Sequence, residues 1–236
     1  MRALLLLLAL LLALLLALPA AALDLLPTTL QLPAEGGRAE LWLHNPGPGR
    51  WQGRVQVLAW DQQLDAERLH PSDQIRVSPA QLDLAPGGTQ RVWLLPGDPV
   101  PATAEQAYRI VLAPALPGLP RYSLPLFRGP ATPPRQALVQ GRLEAYASQT
   151  TLRLGNSGNL HARLHDLRFV TADGRSSLLL PGLAGYILAG HDRRWPLPAR
   201  ADGYAGGRFQ ARLQDGRDID LVTPAPAIAA RARDGL

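Results

Sequence analysis

The sequence predicts an all-β chain built as two β-sandwiches in tandem. Three observations carry that expectation. Apolar residues recur at period 2 almost everywhere after the opening run, as they do in strands with one buried face. Gly (22) and Pro (23) interrupt those runs at short intervals and charged residues make up only 18%, a composition that favours many short strands over long helices. A pair of landmarks also occurs twice, in the same order.

The opening run comes first. Arg2 precedes an uninterrupted apolar stretch over residues 3–18, broken by Pro19 and followed by Ala20, Ala21 and Ala22. Small residues at −3 and −1 after an apolar segment mark a secretory signal peptide, here residues 1–22 with cleavage after Ala22. The run is short for a membrane span, which needs about 20 residues, and no later segment approaches that length. The mature chain is expected to be exported and soluble. It has no Cys, which excludes thiol enzymes, iron–sulfur proteins and Cys-zinc sites.

Strands follow. "RAELWLHN" puts Ala39, Leu41 and Leu43 on one face, and "GRVQVLAW" puts Val55 and Val57 on one face. "QRVWLL", "AYRIVL" and "YSLPLF" continue the pattern between Gly/Pro turns. Then the plan repeats. "ELWLHNPGPGRWQGRVQVL" ends a strand at Asn45, turns, and re-enters a strand; "TLRLGNSGNLHARLHDLRF" does the same at Asn156. Asn tolerates left-handed φ and bonds its own backbone two residues on, which suits both turns. "LAPGGTQRVWLLP" is likewise answered by "LAGHDRRWPLP". The expected boundaries are residues 23–128 for the first domain, 129–136 for a proline-stiffened linker, 137–223 for the second domain and 224–236 for a disordered tail.

Chemistry is sparse. The formal charge is +5, and every basic side chain is Arg. The arginines are scattered singly, without a basic stripe interleaved with aromatics, so nucleic acid is not an expected partner. His161 and His165 lack an evident third ligand and read as solvated strand side chains, so no metal site is expected. "RLHPSDQ" is a turn rather than a triad, and the glycines of "PGGTQR" precede a strand, so they form no phosphate cradle. No catalytic residues and no cofactor are expected. Trp60, Trp93 and Trp195 are expected to fill the cores.

One stretch stands out. In "ALPGLPRYSLPLFRGP", Tyr122, Leu124 and Leu126 alternate, while Pro117, Pro120 and Pro125 interrupt. Proline belongs at sheet edges, strand starts and bulges. An edge strand with an apolar face is a hazard unless something docks there.

Taken in order, these segments resemble the periplasmic pilus-assembly chaperones of the chaperone–usher pathway, most closely their archaic branch. The match rests on "LPTTLQLPAEGGRAELWLHNPG", "VQVLAWDQ", "AYRIVL", "YSLPLFRGP", "LRLGNSGNLHARLHDLRF" and "GLAGYILAGHDRRWPLP". The resemblance implies two immunoglobulin-like domains set as a boomerang, in the periplasm. It implies pilin subunits and an outer-membrane usher as partners, with no cofactor. The last strand of the first domain would be lent to a pilin lacking its own final strand, through Pro120, Tyr122, Leu124 and Leu126. The family anchors the pilin carboxylate with two basic residues. Their positions here are Thr29 and Pro125, neither basic, so Arg121 or Arg109 would have to substitute. A second reading stays open: an exported module that keeps the fold and serves a structural or partner-binding role without chaperoning pilins.

Overall fold

The computed structural model describes residues 22–97, 102–134 and 136–222. Residues 1–21 of the expected signal peptide and the expected tail, residues 224–236, lie outside the described residues. The described residues contain strands, turns and bends, and no helix.

The first domain holds β1 (Asp24–Leu26), β2 (Leu30–Leu32), β3 (Ala39–His44), β4 (Trp51–Gln63), β5 (Ala66–Pro71), β6 (Ile75–Ser78), β7 (Gln81–Leu84), β8 (Thr89–Pro96), β9 (Gln106–Pro114) and β10 (Tyr122–Arg128). One sheet has the order β1-β3-β8-β6. The other runs β2-β10-β9-β4-β5, with β7 also on β4. The alternating residues read from the sequence meet between them. Leu41, Leu43, Val92 and Leu94 come from the first sheet, and Val55, Val57, Ile110, Leu112 and Leu126 from the second.

The second domain holds β11 (Val139–Tyr146), β12 (Gln149–Asn156), β13 (Ala162–Val170), β14 (Ser176–Ile187), β15 (Asp192–Pro196), β16 (Arg208–Arg212) and β17 (Asp218–Val222). Its sheets have the orders β11-β12-β15 and β14-β13-β16-β17. Leu152, Leu154 and Trp195 pack against Leu164, Phe169, Phe209 and Leu221.

The duplicated landmarks turn out to be one device used twice. Asn45 is 1% exposed, and its amide donates to the carbonyls of Gly49 (2.8 Å) and Leu84 (3.2 Å). Asn156 is 2% exposed and donates to Leu160 (2.8 Å) and Ile187 (3.1 Å). Each side-chain oxygen accepts the N–H two residues on, from Gly47 or Gly158. Each backbone carbonyl accepts a hairpin glycine N–H, Gly87 at φ 68° or Gly190 at φ 75°. The left-handed residues are therefore those glycines, which pay no steric cost there. The asparagines do not have positive φ. They are buried clamps that tie a turn to the hairpin packed beside it.

Two other expectations are corrected. Of the three tryptophans assigned to cores, Trp195 lies in a sandwich core and Trp60 in a separate buried cluster, while Trp93 lies in neither. Trp60 packs between the domains with Phe127, Tyr186 and Leu188. Trp93 is half-exposed on the outside of its sheet, under the guanidinium groups of Arg38 (4.0 Å) and Arg91 (4.2 Å). Its period-2 position put it on the outer face, where arginines shield it. His161 is not solvated. It precedes β13 and is buried between the domains, its Nδ1 2.6 Å from Glu105.

Replacing Asn156 by Leu leaves buried carbonyls and N–H groups without partners. Such a loss costs about 1–3 kcal/mol per group, so Asn156→Leu and Asn45→Leu are each expected to lower the midpoint of chemical denaturation. A midpoint unchanged from the parent would show that the clamps carry no stability.

Candidate donor edge and interdomain cleft

β10 pairs antiparallel with β9 along its whole length, from Tyr122↔Leu112 to Arg128↔Gln106. Its other edge is covered only in part. β2 runs parallel to it from Leu126↔Leu30 to Arg128↔Leu32. The chain between Leu26 and Leu30 crosses from one sheet to the other, so β1 cannot cover the rest. Among the described residues, the outer edge of residues 122–125 has no strand beside it.

The prolines now have a geometric account. Gly129 N–H donates to Leu32 O at 2.9 Å. Backbone groups of alternate residues in a strand point to the same edge. The nitrogens of Phe127, Pro125 and Ser123 therefore face the β2 side. Pro125 lacks a donor where β2 pairing begins, and Ser123 offers its N–H to the open edge. Pro120 has the opposite parity. Its nitrogen faces the β9 side, beyond the last pair Tyr122↔Leu112, where no ladder bond is lost.

The alternating side chains divide by position. Leu126 is fully buried and flanked by strands on both sides, so it belongs to the domain's own core and not to the open edge. Tyr122 and Leu124 are half-buried on the rim of that core. The Tyr122 hydroxyl accepts the N–H of buried Leu23 at 2.6 Å. Pro120 and Arg121 are exposed ahead of β10.

On the opposite face of the sheet lies the cleft. Pro125 sits directly across from Arg109, which is in turn across from Leu58. Thr29 immediately precedes Leu30, so it lies beside Pro125. Thr29, Pro125 and Arg109 thus form one row over adjacent strands. The Arg109 guanidinium lies 3.6 Å over the Trp60 ring and 5.8 Å from that of Tyr186, with Glu67 at 3.4 Å. Burial pushes its pKa below the usual arginine range, and Glu67 pulls it back up. From the second domain, Arg193 reaches the same Glu67 at 2.8 Å, and Arg163 lies 6.0 Å over Tyr186. Two guanidinium groups thus share one carboxylate, and a third stands over the neighbouring Tyr186 ring. Nothing in the period-2 pattern distinguishes Arg163 or Arg193 from other outward-facing arginines, so sequence reasoning missed both.

A polar seam holds the domains together beside this cleft. Gln62 is buried, donating to Tyr186 O at 3.0 Å and accepting from Leu188 N–H at 2.8 Å. Asp61 meets His191 Nε2 at 2.8 Å, and Asp65 meets Arg194 at 2.8 Å. Leu64 O accepts Arg194 N–H at 2.8 Å. No group of three or more His, Asp or Glu among the described residues is placed to hold a metal. Because both Gln62 bonds are buried, Gln62→Leu is expected to destabilise the seam by about 1–3 kcal/mol. Faster proteolysis within residues 129–138, with each domain core still protected, would read that loss.

No protein-family model matches this chain, and no curated protein matches it. Solved structures do. The CsuC–CsuE chaperone–tip adhesion subunit complex of the archaic chaperone-usher Csu pili of Acinetobacter baumannii matches with TM-score 0.70 and 18% identity, over 87% of this chain and 99% of that one. The Escherichia coli chaperone DraB matches with TM-score 0.61 and 17% identity, over 86% and 97%. The Pseudomonas aeruginosa chaperone CupB2 matches with TM-score 0.57 and 13% identity, over 84% and 97%. The chain has the fold of the chaperone–usher pilus chaperones: two immunoglobulin-like sandwiches in tandem.

Proposed function

We propose that this protein is a periplasmic chaperone that holds pilin subunits by lending them the open edge of β10 and passes them to an outer-membrane usher. The observation that carries this reading is the uncovered edge of residues 122–125, set beside the row of Thr29, Pro125 and Arg109. An incomplete pilin sandwich has unpaired backbone and empty apolar pockets. A strand laid along Ser123 would satisfy the first, and Pro120, Tyr122 and Leu124 would fill the second. Each apolar side chain fully buried this way contributes about 1.5–3 kcal/mol.

Arg109 is the better candidate for the pilin's terminal carboxylate. It lies across from the proline that occupies one family anchor position, and a single Glu67 already serves both it and Arg193. Arg121 faces open solvent nearer the strand tip.

Ser123→Pro isolates the donor role. It removes an N–H that faces only the open edge, and edge strands tolerate proline there. The expected outcome is unchanged thermal stability with lost recovery of a co-expressed pilin from periplasmic extract. Leu124→Asp is a poorer probe, because Leu124 also packs on its own core. Retained pilin recovery by Ser123→Pro would favour the structural-module reading.

For the anchor, Arg109→Ala is expected to weaken capture by about 1.5–3 kcal/mol, the range for hydrogen bonds to charged groups. Arg121→Ala is expected to leave it unchanged. The reverse ranking in the same pull-down would move the anchor to Arg121.

A further inference from the structure

The cleft carries more positive charge than its own ion pairs neutralise. The Arg109 side chain is only 15% exposed, yet its ion partner is poorly placed: one oxygen of Glu67, 3.4 Å from Nη2. The other Glu67 oxygen is held more closely, 2.8 Å from Nη1 of Arg193, which comes from the second domain. Arg163 forms no ion pair among the described residues, and its buried Nε has no hydrogen-bond partner. Its guanidinium lies over the Tyr186 ring, as does that of Arg109. Glu67 is thus the one ion-paired carboxylate that these three cations have among them.

Arginines elsewhere are better matched. Arg50 donates to Asp83 at 2.5 and 2.7 Å, and Arg200 donates to Asp202 at 2.9 and 2.7 Å. Both are more exposed than Arg109, so both need a counter-ion less. A guanidinium taken out of water loses hydration that a closely seated carboxylate restores. The Trp60 ring covers one face of the Arg109 guanidinium at 3.6 Å. Cation–π contact of that kind holds the plane and leaves the N–H edge for hydrogen bonds. That edge has room for a better acceptor than Glu67 provides.

Glu67 is also easily moved. It belongs to β5, an edge strand paired only to β4 and exposed at all six residues. Its side chain is 34% exposed, and ion pairs exposed to that degree hold their partners weakly. Its carboxylate is chemically the same group as a chain terminus.

We infer that the cleft holds the terminal carboxylate of a guest between the two domains, on Arg109 and Arg193 together, and that Glu67 is its resident stand-in, displaced when the guest arrives. The inference deepens the pilin reading and rests on it for the identity of the guest. Arg109 from the first domain and Arg193 from the second each take one oxygen, as they now do with Glu67. A guest whose carboxyl terminus is blocked leaves both cations to Glu67 and gains nothing from them. Arg163, without an ion partner, adds to the field that draws an anion in. The bound carboxylate also replaces the tie that Glu67 makes between the domains with one supplied by the guest.

The test uses N-acetylglycine, which carries a terminal carboxylate, and N-acetylglycinamide, which lacks one. At low ionic strength, where charge is least screened, N-acetylglycine should shift the guanidinium Nε–H resonances of both Arg109 and Arg193, assigned by their loss in Arg109→Lys and Arg193→Gln. The amide should shift neither. A shift at neither arginine, or at Arg109 alone, overturns the two-domain site. Glu67→Gln removes the stand-in and should tighten N-acetylglycine binding about two- to fivefold, the range of a partly exposed ion pair. Unchanged or weaker binding overturns the stand-in. Arg193→Gln should weaken binding about tenfold, both with Glu67 present and in the Glu67→Gln background. A loss confined to the parent background would show that Arg193 acts only by steering Glu67, and overturns its place in the site. Both side chains are partly exposed, 30% and 34%, so these variants disturb folding little. Pilin recovery is read separately. N-acetylglycine bound as described, with no pilin recovered by the parent, supports the carboxylate site and sinks pilin as its guest. Pilin recovered by the parent with no response to N-acetylglycine does the reverse.

Discussion

The structure depends on how Phe127 is held. It is fully buried at the end of β10, with Trp60, Tyr186 and the His161 ring around it. The same residue is paired to β2 and β9 through its backbone. One end of β10 is therefore locked by its own sheet and by the second domain. The other end is paired only to β9 through its backbone. A strand that is rigid at its root and open at its tip can present backbone groups to a guest with little ordering cost, because its conformation is already set. If Phe127 were loosened, the open edge and the Arg109 row would lose their fixed relation.

Much of this was legible in the sequence where the physics is local. Leu41, Leu43, Val55 and Val57 announced their faces because side chains alternate across a strand. The repeated Asn and Gly turns announced two similar domains. What was not legible depends on partners distant in sequence. Asn45 looks like any turn asparagine until Leu84, which it clamps, is placed beside it. Gln62, His161 and His191 sit at strand ends and loops with no periodic signal, and their roles appear only when Tyr186, Glu105 and Asp61 come from the other domain. Trp93 was misplaced, and the cover of Trp60 was not readable, for a related reason. A tryptophan's size says that it will be covered but not by what, and here a second domain and two arginines do the covering. β10 forms where the alternation placed a strand, but how far its outer edge is covered was not readable. Leu126 continues the alternation of Tyr122 and Leu124, yet β2 seals it into the core.

The seam has a consistent polarity. Asp61, Asp65, Glu67 and Glu105 come from the first domain, and His161, His191, Arg193 and Arg194 from the second. Apart from the buried contact of His161 with Glu105, these ion pairs are partly exposed and add little to stability singly. Their arrangement matters more for orientation, since any other rotation of the domains would oppose like charges or strand Gln62 without its two backbone partners. The apolar contact of Trp60, Phe127, Tyr186 and Leu188 supplies adhesion, and the charges supply the angle.

The missing N–H of Pro125 also bears on how these molecules avoid one another. An exposed strand edge is a template on which a second copy can pair, and long runs of unsatisfied backbone invite stacking. Here the run is four residues, from Tyr122 to Pro125, and its inner end has no donor. A second β10 laid against the first would find too short a ladder to repay its ordering, and could not slide inward to lengthen it, because β2 and the proline block the way. Only a guest that brings pockets for the side chains as well as backbone groups gains enough to stay. On the proposed reading, the proline acts as a filter on partners, set into the edge that would receive them.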